Sequence, residues 1–277
     1  MRNAEGQIVL ITGAAMGMGR LYAERAIAER AAAVALWDID ATALEATRAE
    51  LAGRGVQVLA HVVDVASQQR VAEAARKVQA EAGDPGIVIN NAGIVRSKPF
   101  WEHAPQESEA IIRVNVLGPM HVARAFLPAM IAAGRPARIL NVASASGYLS
   151  VPRMSVYTAS KWAVIGWSDS LRLELKRAGH GHVRVTTLIP SYIRTPMFAG
   201  ARAPLLTPLL EPEYVVDRAW TAMQAGKPRL MLPWTVAFGR AVAGLLPQPL
   251  WDWVAGRVFK VYSSMDGFVG RADGEKD

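Results

Sequence analysis

Apolar and polar positions along this chain change period repeatedly, and the alternation predicts strands separated by helices. The first run, Gln7 to Thr12 (QIVLIT), is almost wholly apolar, as expected of a strand covered on both faces of a parallel sheet. Similar runs at 33–37, 56–63, 86–90, 137–144, 182–190 and 228–233 read the same way. Between them lie stretches with helical periodicity: one ending near Arg30, then 41–53, 67–82 and 103–133, and the segment VYTASKWAVIGWSDSLRLEL. Strands alternating with helices of this length build right-handed βαβ units. The fold class expected is α/β, a single doubly wound parallel sheet with helices on both faces and a C-terminal helical extension.

Composition narrows this picture without redirecting it. The 277 residues are long enough to bury a large core, and half are hydrophobic, so a disordered chain is excluded. Cysteine is absent, which removes disulfides, thiolate nucleophiles and cysteine-based metal sites; no metal ligand set is read elsewhere. The formal charge of +7 comes from scattered Arg and Lys interleaved with acidic residues, so no nucleic-acid partner is expected. The N-terminal apolar run is too short for a signal peptide, and a cytoplasmic location is expected.

The chemistry sits at the carboxyl ends of the expected strands. After the first strand comes Gly13-Ala-Ala-Met-Gly17-Met-Gly19, where glycines let backbone approach a pyrophosphate and a helix N-terminus supplies free N–H groups. A tight turn alone would use the same glycines. The second strand ends in Asp38, nineteen residues beyond Gly19, where a carboxylate can hold both ribose hydroxyls of an adenosine or cap the next helix. A 2′-phosphate beside that carboxylate meets a penalty of ~4 kcal/mol per unit charge at contact, so NAD is preferred over NADP unless Arg20 points into the same pocket.

Tyr157 and Lys161 are four apart, one turn along a helix face. A nearby cation would favour the phenolate; lowering a tyrosine pKa by about three units needs roughly 4 kcal/mol, with help from a cationic cofactor ring. Ser144, thirteen residues earlier, offers a hydroxyl for a substrate oxygen. An ordinary helix with a surface tyrosine and lysine has the same spacing. Asn115 reads either as a buried amide bonded to backbone or as a helix distortion exposing a carbonyl.

Thr12-Gly13-x-x-x-Gly17-x-Gly19, Asp64, Asn90-Asn91-Ala92-Gly93, Asn115, Ser144, Tyr157-x-x-x-Lys161 and Pro190 to Thr195 together resemble the short-chain dehydrogenase/reductase family over about residues 7–230. That resemblance implies a Rossmann fold and hydride transfer between an alcohol carbon and NAD(P). It implies Tyr157 as acid/base, Ser144 as the residue holding the substrate oxygen, Lys161 on the nicotinamide ribose and Asn115 on a proton-relay water. Cofactor contacts fall on Gly13, Met16, Gly17, Met18, Gly19, Asp38, Asp64, Val65, Asn91, Ala92, Gly93, Tyr157, Lys161, Pro190, Ile193 and Thr195. Substrate contacts fall on Ser144, Ser146, Tyr157 and Tyr192. The chain has Pro190-Ser191 where the family usually has Pro-Gly. A homodimer or homotetramer is implied as well.

Residues 1–232 are therefore expected to form the dinucleotide-binding and catalytic domain, with 191–214 as an apolar, proline-rich substrate loop. Residues 233–277 form the extension, with amphipathic helices at about 234–246 and 249–262. Their Trp and basic residues fit a membrane surface, a lid on the active site or an oligomer contact. No run reaches the ~20 apolar residues of a membrane span. This layout is similar to the hydroxysteroid and retinol dehydrogenases of the family, implying a hydrophobic, bulky secondary alcohol or its ketone. The competing readings are a non-catalytic dinucleotide-binding regulatory or membrane-surface protein, and an NADP-dependent carbonyl reductase.

Overall fold

In the computed structural model, which describes residues 3–205 and 207–270, the apolar runs pair as one sheet. The strands are β1 (Ile8–Thr12), β2 (Ala33–Asp38), β3 (Gln57–Val62), β4 (Ile87–Asn90), β5 (Ala137–Val142), β6 (Val183–Pro190) and β7 (Arg229–Leu232). All pairings are parallel, in the order β3-β2-β1-β4-β5-β6-β7. The order reverses between β1 and β4, opening a crevice at their carboxyl ends.

Period-two alternation along β1 feeds two cores. Val9 and Ile11 face one layer with Tyr22, Leu44 and Trp220, supplied by α1 (Gly17–Ala28), α2 (Ala41–Leu51) and, in part, a later helix at 212–224. Leu10 faces the other with Val71, Phe126 and Leu175, supplied by α3 (Gln68–Glu81) and two long helices at 118–132 and 155–177. The central strands are buried on both sides, whereas β3 at the sheet edge leaves Val62 59% exposed.

The continuous helix expected over 103–133 is broken into α4 (Pro105–Ile112), a π-helical turn (Arg113–Leu117) and α5 (Gly118–Ala132). Pro119 explains the break, because it has no N–H to give the Asn115 carbonyl four residues back. Gly118 N bonds instead to the Arg113 carbonyl. α6 (Ser155–Arg177) carries Tyr157 and Lys161. α7 (Pro212–Gln224) is a helix that the sequence reading left unassigned; its buried Val215, Val216, Ala219 and Trp220 have helical spacing that could have revealed it.

In the extension, α8 (Trp234–Leu245) follows expectation within a residue. The second expected helix is shorter. α9 (Gln248–Trp253) passes into a π-helical turn (Val254–Val258), and Lys260 then adopts a left-handed conformation, φ +55°. The extension does not stand apart from the catalytic region: Trp251, Ala255, Val261 and Met265 share one apolar cluster with Tyr157, Val151 and Met154.

Candidate active site

The glycine loop is shaped by two different demands. Gly17 has φ +55°, which favours glycine, and a Cβ there would meet nothing within 4 Å, so the space beside the loop is open to a ligand. A Cβ on Gly19 would lie 1.9 Å from the Gly13 carbonyl oxygen. Gly19 therefore lets α1 pack against the loop from behind and is not among the residues lining the cleft. Asn91 fastens this loop to β4: its Nδ2 donates to the carbonyls of Thr12 (3.1 Å) and Gly13 (3.0 Å), while its N–H donates to Thr12 Oγ1 at 3.1 Å.

Asp38 ends β2 at the same edge. Its carboxylate accepts from Ala15 N at 2.9 Å, Ile39 N at 2.8 Å and Asp40 N at 3.2 Å. The helix-capping alternative belongs to Asp40, whose Oδ1 accepts from Ala43 N at 3.0 Å. Arg20 is held by Glu24 (3.0 Å) and Glu50 (2.6 Å), and so is not positioned to neutralise a phosphate beside Asp38. Asp64 Oδ1 accepts from Ala66 N at 2.9 Å, orienting the turn that carries Val65.

At the other end, Ser144 Oγ accepts from Ser146 N at 3.2 Å and donates to Ser146 Oγ at 3.3 Å. Lys161 Nζ donates to the Val142 carbonyl at 3.0 Å and lies 5.5 Å from the Tyr157 ring centre. Both expected readings of Asn115 meet in the π turn: the amide is buried and backbone-bonded, and the helix is distorted. Its Oδ1 accepts from Ile94 N and its Nδ2 donates to Ile94 O, each at 2.9 Å, and Nδ2 also donates to Ser160 Oγ at 3.0 Å. Ser160 in turn donates to the Tyr157 carbonyl at 2.6 Å. Asn115 thus ties the loop after β4 to α6.

The chain's own groups act on the Tyr157 pKa in the direction opposite to the lowering expected with a cationic cofactor ring present. Burial of the phenol raises it, with the Ser144 hydroxyl acting in the other direction. The same burial lowers Lys161 to about 8, because an ammonium in a dry site lacks water to solvate it.

Two cavities meet at Ser144. The larger, about 700 Å³, is lined by Gly13, Met16, Gly17, Met18, Asp38, Asp64, Val65, Asn91, Ala92, Gly93, Tyr157, Lys161, Pro190, Ile193 and Thr195. The open loop at Gly17, the carboxylate at one end and the buried Lys161 at the other fit a dinucleotide. The smaller cavity, about 100 Å³, contains Ser146 and Tyr192 among apolar walls. Ser191, which replaces the usual glycine, touches both cavities and donates its N–H to Leu232 O at 2.7 Å. Sequence reasoning missed Phe198, whose ring stands edge-on to Tyr157 (6.4 Å, 79°) and to Tyr192 (5.8 Å, 83°). It also missed Leu149 and Val151; their only signal was the apolar composition after Ser144.

The short chain dehydrogenase family pattern matches residues 7–205. The chain belongs to that family. This short-chain dehydrogenase is an oxidoreductase, and its site is that of an enzyme using a nicotinamide dinucleotide. It is 36% identical to human estradiol 17-beta-dehydrogenase 11 over 247 residues, spanning 89% of this chain and 81% of that protein. It is 34% identical to human epidermal retinol dehydrogenase 2 over 272 residues, 97% and 87% of the two chains. Among solved structures, a short-chain dehydrogenase/reductase from Burkholderia phymatum in complex with NAD superposes with a TM-score of 0.80 at 25% identity, covering 88% of this chain and 95% of that one. A metagenomic short-chain oxidoreductase in complex with NADP gives 0.69 at 32% identity, covering 82% and 97%.

Proposed function

We propose that this enzyme interconverts a hydrophobic, bulky secondary alcohol and its ketone, using NAD(H) in preference to NADP(H). The observation that carries the hydrophobic class of substrate is the apolar cavity opening onto Ser144, walled by Leu149, Val151, Phe198, Trp251, Phe259 and Val261. A sugar or other polyhydroxy substrate would find few partners there, and its unpaired hydroxyls would each cost ~1–3 kcal/mol. The relatives named for estradiol and retinol support the same class.

In this reading Ser144 orients the substrate oxygen, and Tyr157, kept protonated by burial, delivers a proton to it as the carbonyl is reduced. The nicotinamide supplies or accepts the hydride when bound. Lys161 contributes positive charge beside Tyr157, and Asn115 and Ser160 keep α6 in place for both. Asp38 supports the NAD preference, since Arg20 is engaged by two glutamates and offers no compensation for a 2′-phosphate.

A panel running from cyclohexanone to decalones and steroid ketones, followed by NADH and NADPH absorbance, tests the reading. Rising kcat/KM with apolar bulk supports it; turnover confined to small polar carbonyls overturns it. Exposed Trp234, Leu245 and Trp253, at 72%, 82% and 58%, with Arg257 and Lys260 nearby in the chain, support peripheral contact with anionic membranes. Flotation with phosphatidylserine vesicles, set against a Trp234→Glu/Trp253→Glu variant, tests that contact.

A further inference from the structure

The segment after α9 lies directly on the substrate loop. Arg202 N donates to Ser264 O at 2.8 Å, Leu205 N to Phe259 O at 2.9 Å, and Val269 N to Ala199 O at 2.9 Å. Gly200, at φ +80°, permits the closest approach, since a Cβ there would lie 2.1 Å from the Gly267 carbonyl oxygen. One side-chain bond joins the same two segments: Tyr192 OH and Ser264 Oγ are 2.8 Å apart. Ser264 has a single proton, and it goes to the Val261 carbonyl at 2.6 Å. The Tyr192 hydroxyl must then be the donor to Ser264. Ser264 is buried, 2% exposed, so this bond has no competing water.

Closed in this way, the apolar cavity holds about 100 Å³, whereas pockets for drug-sized ligands measure ~300–1,000 Å³. Both Tyr192 and Phe259 line it, so the bonded segments form its roof. A bulky ketone needs that roof displaced, and a small one does not.

We propose that the Tyr192–Ser264 bond is a latch between the substrate loop and the C-terminal segment, and that it sets the size of substrate admitted. Ser264 touches neither cavity and is a positioning residue; its effect on catalysis passes through the loop. The kinetic part of this inference rests on the proposed ketone reduction, whereas the latch itself can be read without any substrate.

The test uses the full chain with Ser264→Ala, Tyr192→Phe and the double variant. Hydrogen exchange at the amides of Arg202, Leu205 and Val269 is expected to accelerate at least about tenfold in each single variant, with no further gain in the double. Unchanged exchange, or additive acceleration, overturns the latch. In Ser264→Ala, the kcat/KM ratio of androsterone over cyclohexanone is expected to rise at least about threefold, through KM for androsterone, with kcat for cyclohexanone unaltered. An unchanged ratio overturns the size gate. If the wild-type enzyme reduces no apolar ketone, the functional reading fails while the exchange result still decides the latch. Should Ser264→Ala not fold, Tyr192→Phe carries the exchange measurement.

Discussion

Lys161 Nζ stands 5.5 Å from the centre of the Tyr157 ring but gives its hydrogen bond to the Val142 carbonyl, not to the phenol. The lysine is thus fixed to the end of β5, one helical turn from the tyrosine on α6, without bonding the phenol. Desolvation opposes both ionised forms, raising Tyr157 and lowering Lys161. The polypeptide by itself therefore stores the proton on Tyr157, the form that a ketone reduction consumes.

Replacing Tyr157 by Phe keeps the ring packed against Phe198 and removes only the transferable proton. Ketone reduction should fall by roughly a hundred- to ten-thousandfold. NADH affinity, read by fluorescence titration, should change by less than about threefold. Retained turnover would contradict the role of the phenol.

Burial moves Lys161 from its ordinary 10.5 to about 8. Between those values the unfolded chain binds the proton and the folded chain releases it, so this group makes stability rise with pH through that interval. Above pH 10 the buried Tyr22 and Tyr157, both raised, act in the opposite sense. Thermal melts from pH 8 to 10 should show a smaller upward trend in Lys161→Met than in wild type; identical slopes would show that the lysine is not desolvated.

Asn115→Ala removes three hydrogen bonds that join Ile94 to α6 and leaves buried backbone groups unpaired. A loss of about 2–4 kcal/mol is expected, together with a lower kcat as α6 loosens. Scanning calorimetry should register a Tm drop of roughly 3–7 °C.

NADH should exceed NADPH in kcat/KM by at least about tenfold, or ~1.4 kcal/mol. Asp38→Asn removes the charge and should narrow that gap. A variant with the wild-type ratio would place the discrimination elsewhere in the cleft.

Much of the architecture was readable because strand and helix periods are local. Continuous apolar runs located the seven strands, and the glycine loop, Asp38, Asn90 and Ser144 fell at carboxyl ends of those strands or just beyond them, with Tyr157 in the first turn of α6. Local signals could not separate residues of like type. Gly17 and Gly19 look equivalent in the motif, yet one leaves space for a ligand and the other fills a contact with Gly13. Asp38 and Asp40 both suit a helix start, and only Asp40 caps it.

By itself, then, the sequence determined the doubly wound sheet and the edge that carries the glycine loop and Asp38, since strand and helix periods are local, while the roles of Ser144, Tyr157 and Lys161 came from the family resemblance. Tertiary structure alone decided what surrounds that chemistry. The pKa of Tyr157 follows from burial under distant segments, and the substrate roof depends on Tyr192 meeting Ser264 across 72 residues. Desolvation and such long-range contacts arise only from packing, and no period along the chain encodes them.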